Sequence, residues 1–187
     1  FTCSVSDARE LIELSDMHGA PIFSASSQRF TPQIVQAAAD EDLGGILGAQ
    51  TGTPAKEHRV NPGLYNYGIH GVEMLYALMG PGCQAVSCAW TEGAEVVTGR
   101  WKDARIGTVR GVRNSWGYTY SVWGENGTRS EPLDRTYNHR ELLKAMVDFF
   151  ETGVAPVDPV ETLEIITFIA AALRSRKQEG QWVSLPV

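Results

Sequence analysis

Cysteine is scarce in this chain. Cys3, Cys83 and Cys88 are the only three in 187 residues, too few and too unevenly spaced for a disulfide framework or a thiolate zinc site, so reduced, buried thiols are expected. Lys and Arg number 16 against 22 Asp and Glu, and no basic run occurs. The net charge of -6 therefore gives a nucleic acid no cationic face to bind, and no nucleic-acid partner is expected. Long apolar runs are missing as well. The best candidate, Ile165 to Leu173, falls far short of the roughly 20 residues that span a bilayer, so no membrane partner is expected and the location expected is cytoplasmic. No Gly-x-Gly-x-x-Gly joins a strand to a helix, which removes the fingerprint of a dinucleotide cradle. The close-set Gly44, Gly45 and Gly48 follow an acidic run, Asp40-Glu41-Asp42, and read as backbone punctuation. There is no signal-peptide pattern, and a start at Phe1 fits a processed or truncated chain or, as expected here, the edge of a larger polypeptide.

The residues that are present suit a globular protein: 43% are hydrophobic, the mean hydropathy is -0.18, and the length supports one well-packed domain. The stretch from Asn61 to Gly82 organises the reading. Leu64 to Met79 is predicted as one helix, with Ile69, Val72, Tyr76 and Met79 forming an apolar stripe and Asn66, His70 and Glu73 on a neighbouring face. Gly80-Pro81-Gly82 stops it. His70 is the candidate for chemistry, because imidazole exchanges a proton near neutral pH, although the same residue fits a hydrogen-bonded structural role. His70 and Glu73 could share a metal with His58, but no three ligands of convincing spacing occur and no metal is expected.

Along the chain, a helix capped by Ser4 or Ser6 and closed by Gly19 precedes a short strand at Pro21 to Ser26. Thr31-Pro32 starts a second helix, and a strand begins near Ile46. The loop before the central helix carries Lys56, Glu57, His58 and Arg59, which could line a polyol pocket or simply be solvated. From Cys83 to Glu131 the apolar period is two, predicting an antiparallel meander with turns at Lys102-Asp103 and Asn126-Gly127. Trp90, Trp101, Trp116 and Trp123 fall within this sheet, where they either pack in the core or, on an open face, favour a second subunit. Two helices close the chain, one starting at Asn138 with Leu142, Met146, Phe149 and Phe150 buried, one starting at Asp158-Pro159. A last strand is placed near Trp182 to Leu185.

Gly68-Ile69-His70-Gly71-Val72-Glu73-Met74-Leu75-Tyr76-Ala77-Leu78-Met79-Gly80 resembles the substrate-domain helix of the glucose-fructose oxidoreductase and inositol dehydrogenase (Gfo/Idh/MocA) family. The Arg29-Phe30 pair and the Pro156 to Thr162 segment extend the likeness along the whole chain. The resemblance implies an α+β fold: a large, open, mainly antiparallel sheet with helices packed on one face, preceded by the last helix and strand of a Rossmann-type domain. Residues 1–28 would be that remnant of a dinucleotide-binding domain, and 29–187 a substrate-binding and oligomerisation domain. It implies His70 as the proton-transfer residue, with Asn66, Arg29, Tyr65, Tyr67 and Lys56 as candidates for contact with substrate. The cofactor would be NAD or NADP, bound mostly outside this chain, and the partner copy would sit on the open sheet face of a homo-oligomer. The family pattern Asp-x-x-x-His is here Asn66-Tyr67-Gly68-Ile69-His70, and an amide can orient a hydroxyl but cannot hold a proton or a charge.

The implied function is the C-terminal part of an NAD(P)-dependent oxidoreductase acting on a secondary alcohol of a sugar, cyclitol or similar polyol, inactive without its Rossmann domain. The alternatives are an NAD-dependent glycoside hydrolase of the same family and a non-catalytic sugar-binding or oligomerisation module.

Overall fold

A computed structural model describes residues 2–186. Helix α1 (Val5–His18) begins at Ser4, whose Oγ accepts the Asp7 N–H at 3.3 Å, and ends at Gly19 in the left-handed region at φ 57°. The strand expected at Pro21 to Ser26 does not form. No strand among the described residues pairs with it, and Phe23 instead packs edge-on against Phe149 at 4.9 Å. A 3-10 turn (Ser27–Phe30) leads to α2 (Pro32–Ala38), and Thr31 precedes α2 without capping it, its hydroxyl donating back to the Gln28 carbonyl.

Strand β1 (Ile46–Pro54) is followed by a short 3-10 turn (Gly63–Tyr65) and helix α3 (Ile69–Met79). The continuous helix predicted over Leu64 to Met79 is therefore broken at Asn66 to Gly68, where Tyr67 takes a left-handed φ of 61° that no helix contains. Then come β2 (Cys83–Trp90), β3 (Ala94–Trp101), β4 (Ile106–Val112), β5 (Thr119–Gly124), β6 (Thr128–Pro132), α4 (Asn138–Thr152), α5 (Pro159–Lys177) and β7 (Val183–Ser184). The turns expected at Lys102-Asp103 and Asn126-Gly127 join β3 to β4 and β5 to β6.

The seven strands form one sheet in the order β6-β5-β1-β4-β3-β2-β7. Only β1 and β4 run parallel, with Gln50 opposite Thr108; every other pairing is antiparallel. The meander expected across 83–131 is thus interrupted. β1 enters between β4 and β5, and a pairing between segments some sixty residues apart leaves no trace in the local period of either.

Helices cover one face of this sheet. Val86, Val97, Val109 and Val122 point into a core where Tyr76 packs against Trp101 at 5.6 Å and Phe168 at 6.0 Å between ring centres. Each fully buried aliphatic or Phe side chain there contributes about 1.5–3 kcal/mol. Ala8 of α1 lies in the same core, so α1 is packed against the rest. Buried Glu164 on α5 accepts Tyr76 Oη and the N–H groups of Gly82 and Cys83, anchoring the end of α3 and the start of β2.

The tryptophans do not share an open face. Trp101 is 1% exposed on the helix side, Trp90 is covered by the Arg176 guanidinium from α5 at 3.8 Å, and Trp116 lies in the loop before β5. Strand alternation leaves Trp123 on the uncovered face, in one row with Gly48, the exposed Ile106 and Arg100. The burial expected on α4 is also a correction: Leu142, Met146 and Phe149 are only half-buried where they meet residues 21–25, and Phe150, about 100° around the helix from Phe149, is 75% exposed at the rim of the same pocket. No helix among the described residues is long and apolar enough to cross a membrane.

Candidate active site

The site is built where α3 crosses the end of β1. Gly71 makes the crossing close: a Cβ there would lie 2.6 Å from Thr53 Cγ2, and Thr51 Oγ1 donates to the Gly71 carbonyl at 2.8 Å. Gly68 has a similar constraint, with an added Cβ 2.6 Å from Leu64 Cα. Between them the chain bends through Tyr67. Its carbonyl accepts the His70 N–H at 3.0 Å and Thr53 Oγ1 at 3.2 Å, so the left-handed residue is held from both β1 and α3.

His70 then emerges in the first turn of α3, half-buried, with its ring edge-on to Tyr67 at 5.9 Å and Tyr118 at 6.0 Å. Nδ1 lies 2.7 Å from the Oγ of buried Ser26, which also accepts the Gln28 N–H at 3.1 Å. Burial, with a smaller effect from His139, pushes the imidazole pKa below its usual 6.5, so the ring is neutral at neutral pH. A neutral imidazole with one nitrogen fixed can give or take a proton at the other.

One turn further on, Glu73 is 3% exposed and bonded to Arg29 Nη1 at 2.6 Å, and Arg29 Nη2 reaches Glu161 at 2.7 Å. Burial raises the Glu73 pKa and Arg29 opposes it. For Arg29 itself burial works against the charge, but the two carboxylates outweigh it and hold its pKa above the ordinary value. This triad ties residue 29, α3 and α5 together.

A cavity of about 160 Å³ adjoins Tyr67, with Lys56, Arg113, Asn114, Ser115 and Trp116 around it. Trp116, 70% exposed, stands edge-on to Tyr67 at 6.0 Å, and the Arg135 guanidinium lies 5.2 Å from the Tyr118 ring centre. A larger cavity of about 640 Å³, beside Arg100, Lys102 and Glu164, lies past the opposite end of α3, and no histidine lines it. No histidine lines the smaller cavity either, but Tyr67, which does, stands edge-on to His70, and we assign the site there on that adjacency.

Of the predicted site residues, the structure brings together His70, Tyr67 and Lys56. Asn66 is adjacent, but its Nδ2 donates to the Lys56 carbonyl at 2.7 Å and not to the imidazole. Tyr65 points away: it is buried, its hydroxyl donates to the Ile166 carbonyl at 3.0 Å, and burial pushes its pKa up. Arg29 is committed to two carboxylates. Sequence reasoning missed Ser26, Arg113, Trp116 and Tyr118. The two aromatics were read as part of a strand, and nothing local marks Ser26 or Arg113.

Among the described residues no group of three or more His, Cys, Asp or Glu side chains is placed to hold a metal. Nor do the close-set glycines form a phosphate cradle. The Gly45 N–H donates to the Glu125 carboxylate at 3.1 Å, where a phosphate would be repelled.

No protein-family model and no curated protein matches this sequence. Solved structures do match it. GenD2 from gentamicin A biosynthesis, in complex with NAD, is 17% identical, with a TM-score of 0.83 over 100% of this chain and 70% of its own. The myo-inositol dehydrogenase from Lactobacillus casei, in complex with NAD(H) and myo-inositol, is 12% identical, with a TM-score of 0.77 over 100% of this chain and 68% of its own. The WlbA dehydrogenase from Bordetella pertussis, in complex with NADH and UDP-GlcNAcA, is 17% identical, with a TM-score of 0.75 over 100% of this chain and 70% of its own. Along its whole length, this chain has the fold of the C-terminal domain of Gfo/Idh/MocA-type dehydrogenases.

Proposed function

We propose that this chain is the substrate-side part of an NAD- or NADP-dependent oxidoreductase of the Gfo/Idh/MocA type, acting on a secondary alcohol of a sugar, cyclitol or similar polyol. The observation that carries the reading is His70: neutral, half-buried, fixed at Nδ1 by Ser26, and one aromatic ring away from a polar cavity. The similar structures are dehydrogenases with a nicotinamide cofactor, and two of those described hold a cyclitol or a nucleotide sugar. In this reading His70 is the catalytic residue. With Nδ1–H donating to Ser26 Oγ, the lone pair of Nε2 is left to accept the proton of the substrate hydroxyl. Tyr67 and Lys56 line the substrate cavity, and Asn66 holds the Lys56 backbone in place.

This chain's own residues do not fit a dinucleotide, since the fingerprint is absent and Glu125 fills the glycine turn. Its part in the reaction is the proton and the positioning of the alcohol, while a nicotinamide held by residues outside it carries the redox chemistry. The uncovered sheet face, with Trp123 and Ile106 exposed on either side of Gly48, is proposed as the contact of a homo-oligomer.

The test is activity in a polypeptide that joins the chain to a dinucleotide-binding domain. NADH formation on a polyol panel is expected, and His70→Ala should lower kcat/KM by about 100-fold or more. Release of free sugar without net NADH would support the hydrolase instead, and sugar binding with no cofactor dependence would support a binding module.

A further inference from the structure

We propose that the cavity beside Tyr67 recognises the acid group of an anionic sugar or polyol, with a carboxylate held between Lys56 and Arg113. The proposal rests on the sugar and polyol reading above and narrows it to sugar acids. The ionisable side chains around the cavity are both cations, and no Asp or Glu lines it. Lys56 is exposed and forms no ion pair among the described residues. Its backbone is tied by Asn66 to the turn that presents Tyr67 and His70, so a charge on Lys56 is coupled in space to the proposed reacting hydroxyl.

Arg113 supplies the second, independent observation. It is only 9% exposed, and its Nη1 is fully used, donating to the Ala55 carbonyl at 2.7 Å and to Glu95 at 2.8 Å. Its Nε and Nη2 are buried with no hydrogen-bond partner. Glu57 approaches Nη2 to 3.1 Å but without hydrogen-bonding alignment, and it is shared with Arg176 at 2.8 Å. The Nε–Nη2 edge of a guanidinium is the planar fork that matches the two oxygens of a carboxylate. Glu57 sits on the exposed loop and can turn to Arg176 alone, leaving that edge to a ligand. Trp116 and Tyr67 form the aromatic side of the same cavity, against which the apolar face of a sugar ring can lie.

The experiment is a titration of D-glucuronate and of D-glucose into the 187-residue chain, followed by amide chemical shifts. Glucuronate is expected to bind about tenfold or more tightly than glucose, with the preference falling as ionic strength rises. Lys56→Gln, at an exposed position with no ion pair among the described residues, should abolish the preference, and Glu57→Gln, which removes the competing carboxylate, should increase it. Arg113 is the less useful variant, because it also anchors Ala55 and Glu95. Equal affinity for the two sugars, or a preference that survives Lys56→Gln, overturns the sugar-acid proposal and leaves the broader reading standing. Binding of neither sugar overturns the sugar-acid proposal, and the broader reading is then decided by the polyol panel in the joined polypeptide.

Discussion

The Ser26 hydroxyl lies 2.7 Å from His70 Nδ1, across 44 positions of sequence, and is the side-chain hydrogen-bond partner of that imidazole. In the family pattern that this region resembles, an aspartate stands four residues before the histidine. Here that position is Asn66, and it is turned to the Lys56 carbonyl. A hydroxyl has therefore taken the place nearest the ring. Unlike a carboxylate, it orients the imidazole without adding a charge that would raise its pKa.

The first prediction concerns that bond. With Ser26 Oγ as acceptor, nitrogen NMR of wild-type His70 should show the proton on Nδ1. In Ser26→Ala the ring should shift towards the Nε2–H tautomer, because the hydrogen bond made by one nitrogen selects the state of the other. An unchanged tautomer in the variant would remove Ser26 from the proposed mechanism.

Gly71 offers a test of packing against propensity. Alanine is the better helix former by about 1 kcal/mol, and on that ground alone Gly71→Ala should stabilise α3. The added Cβ would meet Thr53 Cγ2 at 2.6 Å and Val109 Cγ1 at 3.1 Å, so the expected result is a loss of about 1–3 kcal/mol in urea unfolding. A more stable variant would mean that α3 can lift off β1, and that the placement of His70 is not set by this contact.

Arg29→Met should cost about 3–5 kcal/mol, because it strands two carboxylates, one of them in the core. The loss should also depend on pH in a definite direction. Burial already raises the Glu73 pKa above its usual value, and removing Arg29 takes away the main influence lowering it. A carboxyl whose folded pKa is raised keeps its full contribution to stability below the unfolded value near 4.5 and loses it as pH rises through the folded value. Thermal melts of variant and wild type should therefore differ most at high pH and converge on acidification. A gap independent of pH would show that removing Arg29 leaves the folded-state titration of Glu73 unchanged.

What the sequence by itself determined was local. Ser4 and Gly19 bound α1, Asp158 and Pro159 start α5 with the Asp158 carboxylate accepting the Val160 N–H at 2.8 Å, and the two turns within the sheet fall where Lys102-Asp103 and Asn126-Gly127 stand. These features depend on residues within a few positions of one another, which is the range over which caps, turns and periodicity act. His70 was a candidate by its residue type on the predicted helix and Lys56 by its polar loop, whereas Tyr67 was implied by the family resemblance.

Only the tertiary structure decided the rest. The break at Tyr67 is imposed by Thr53 on β1 and by the tight seat of Gly68, not by any preference of tyrosine for a left-handed turn. The entry of β1 between β4 and β5 brings Arg113 and Trp116, just past β4, to the cavity beside Tyr67, while alternation along β3 puts Trp101 on the helix side. Tyr65 and Tyr67 are two residues apart, yet one bonds to α5 and the other faces the cavity. Residue type fixed what each side chain could do. Which partners it met was settled by strand pairing and close packing between distant segments, whose energies are summed over many contacts and are not written in any short stretch of chain.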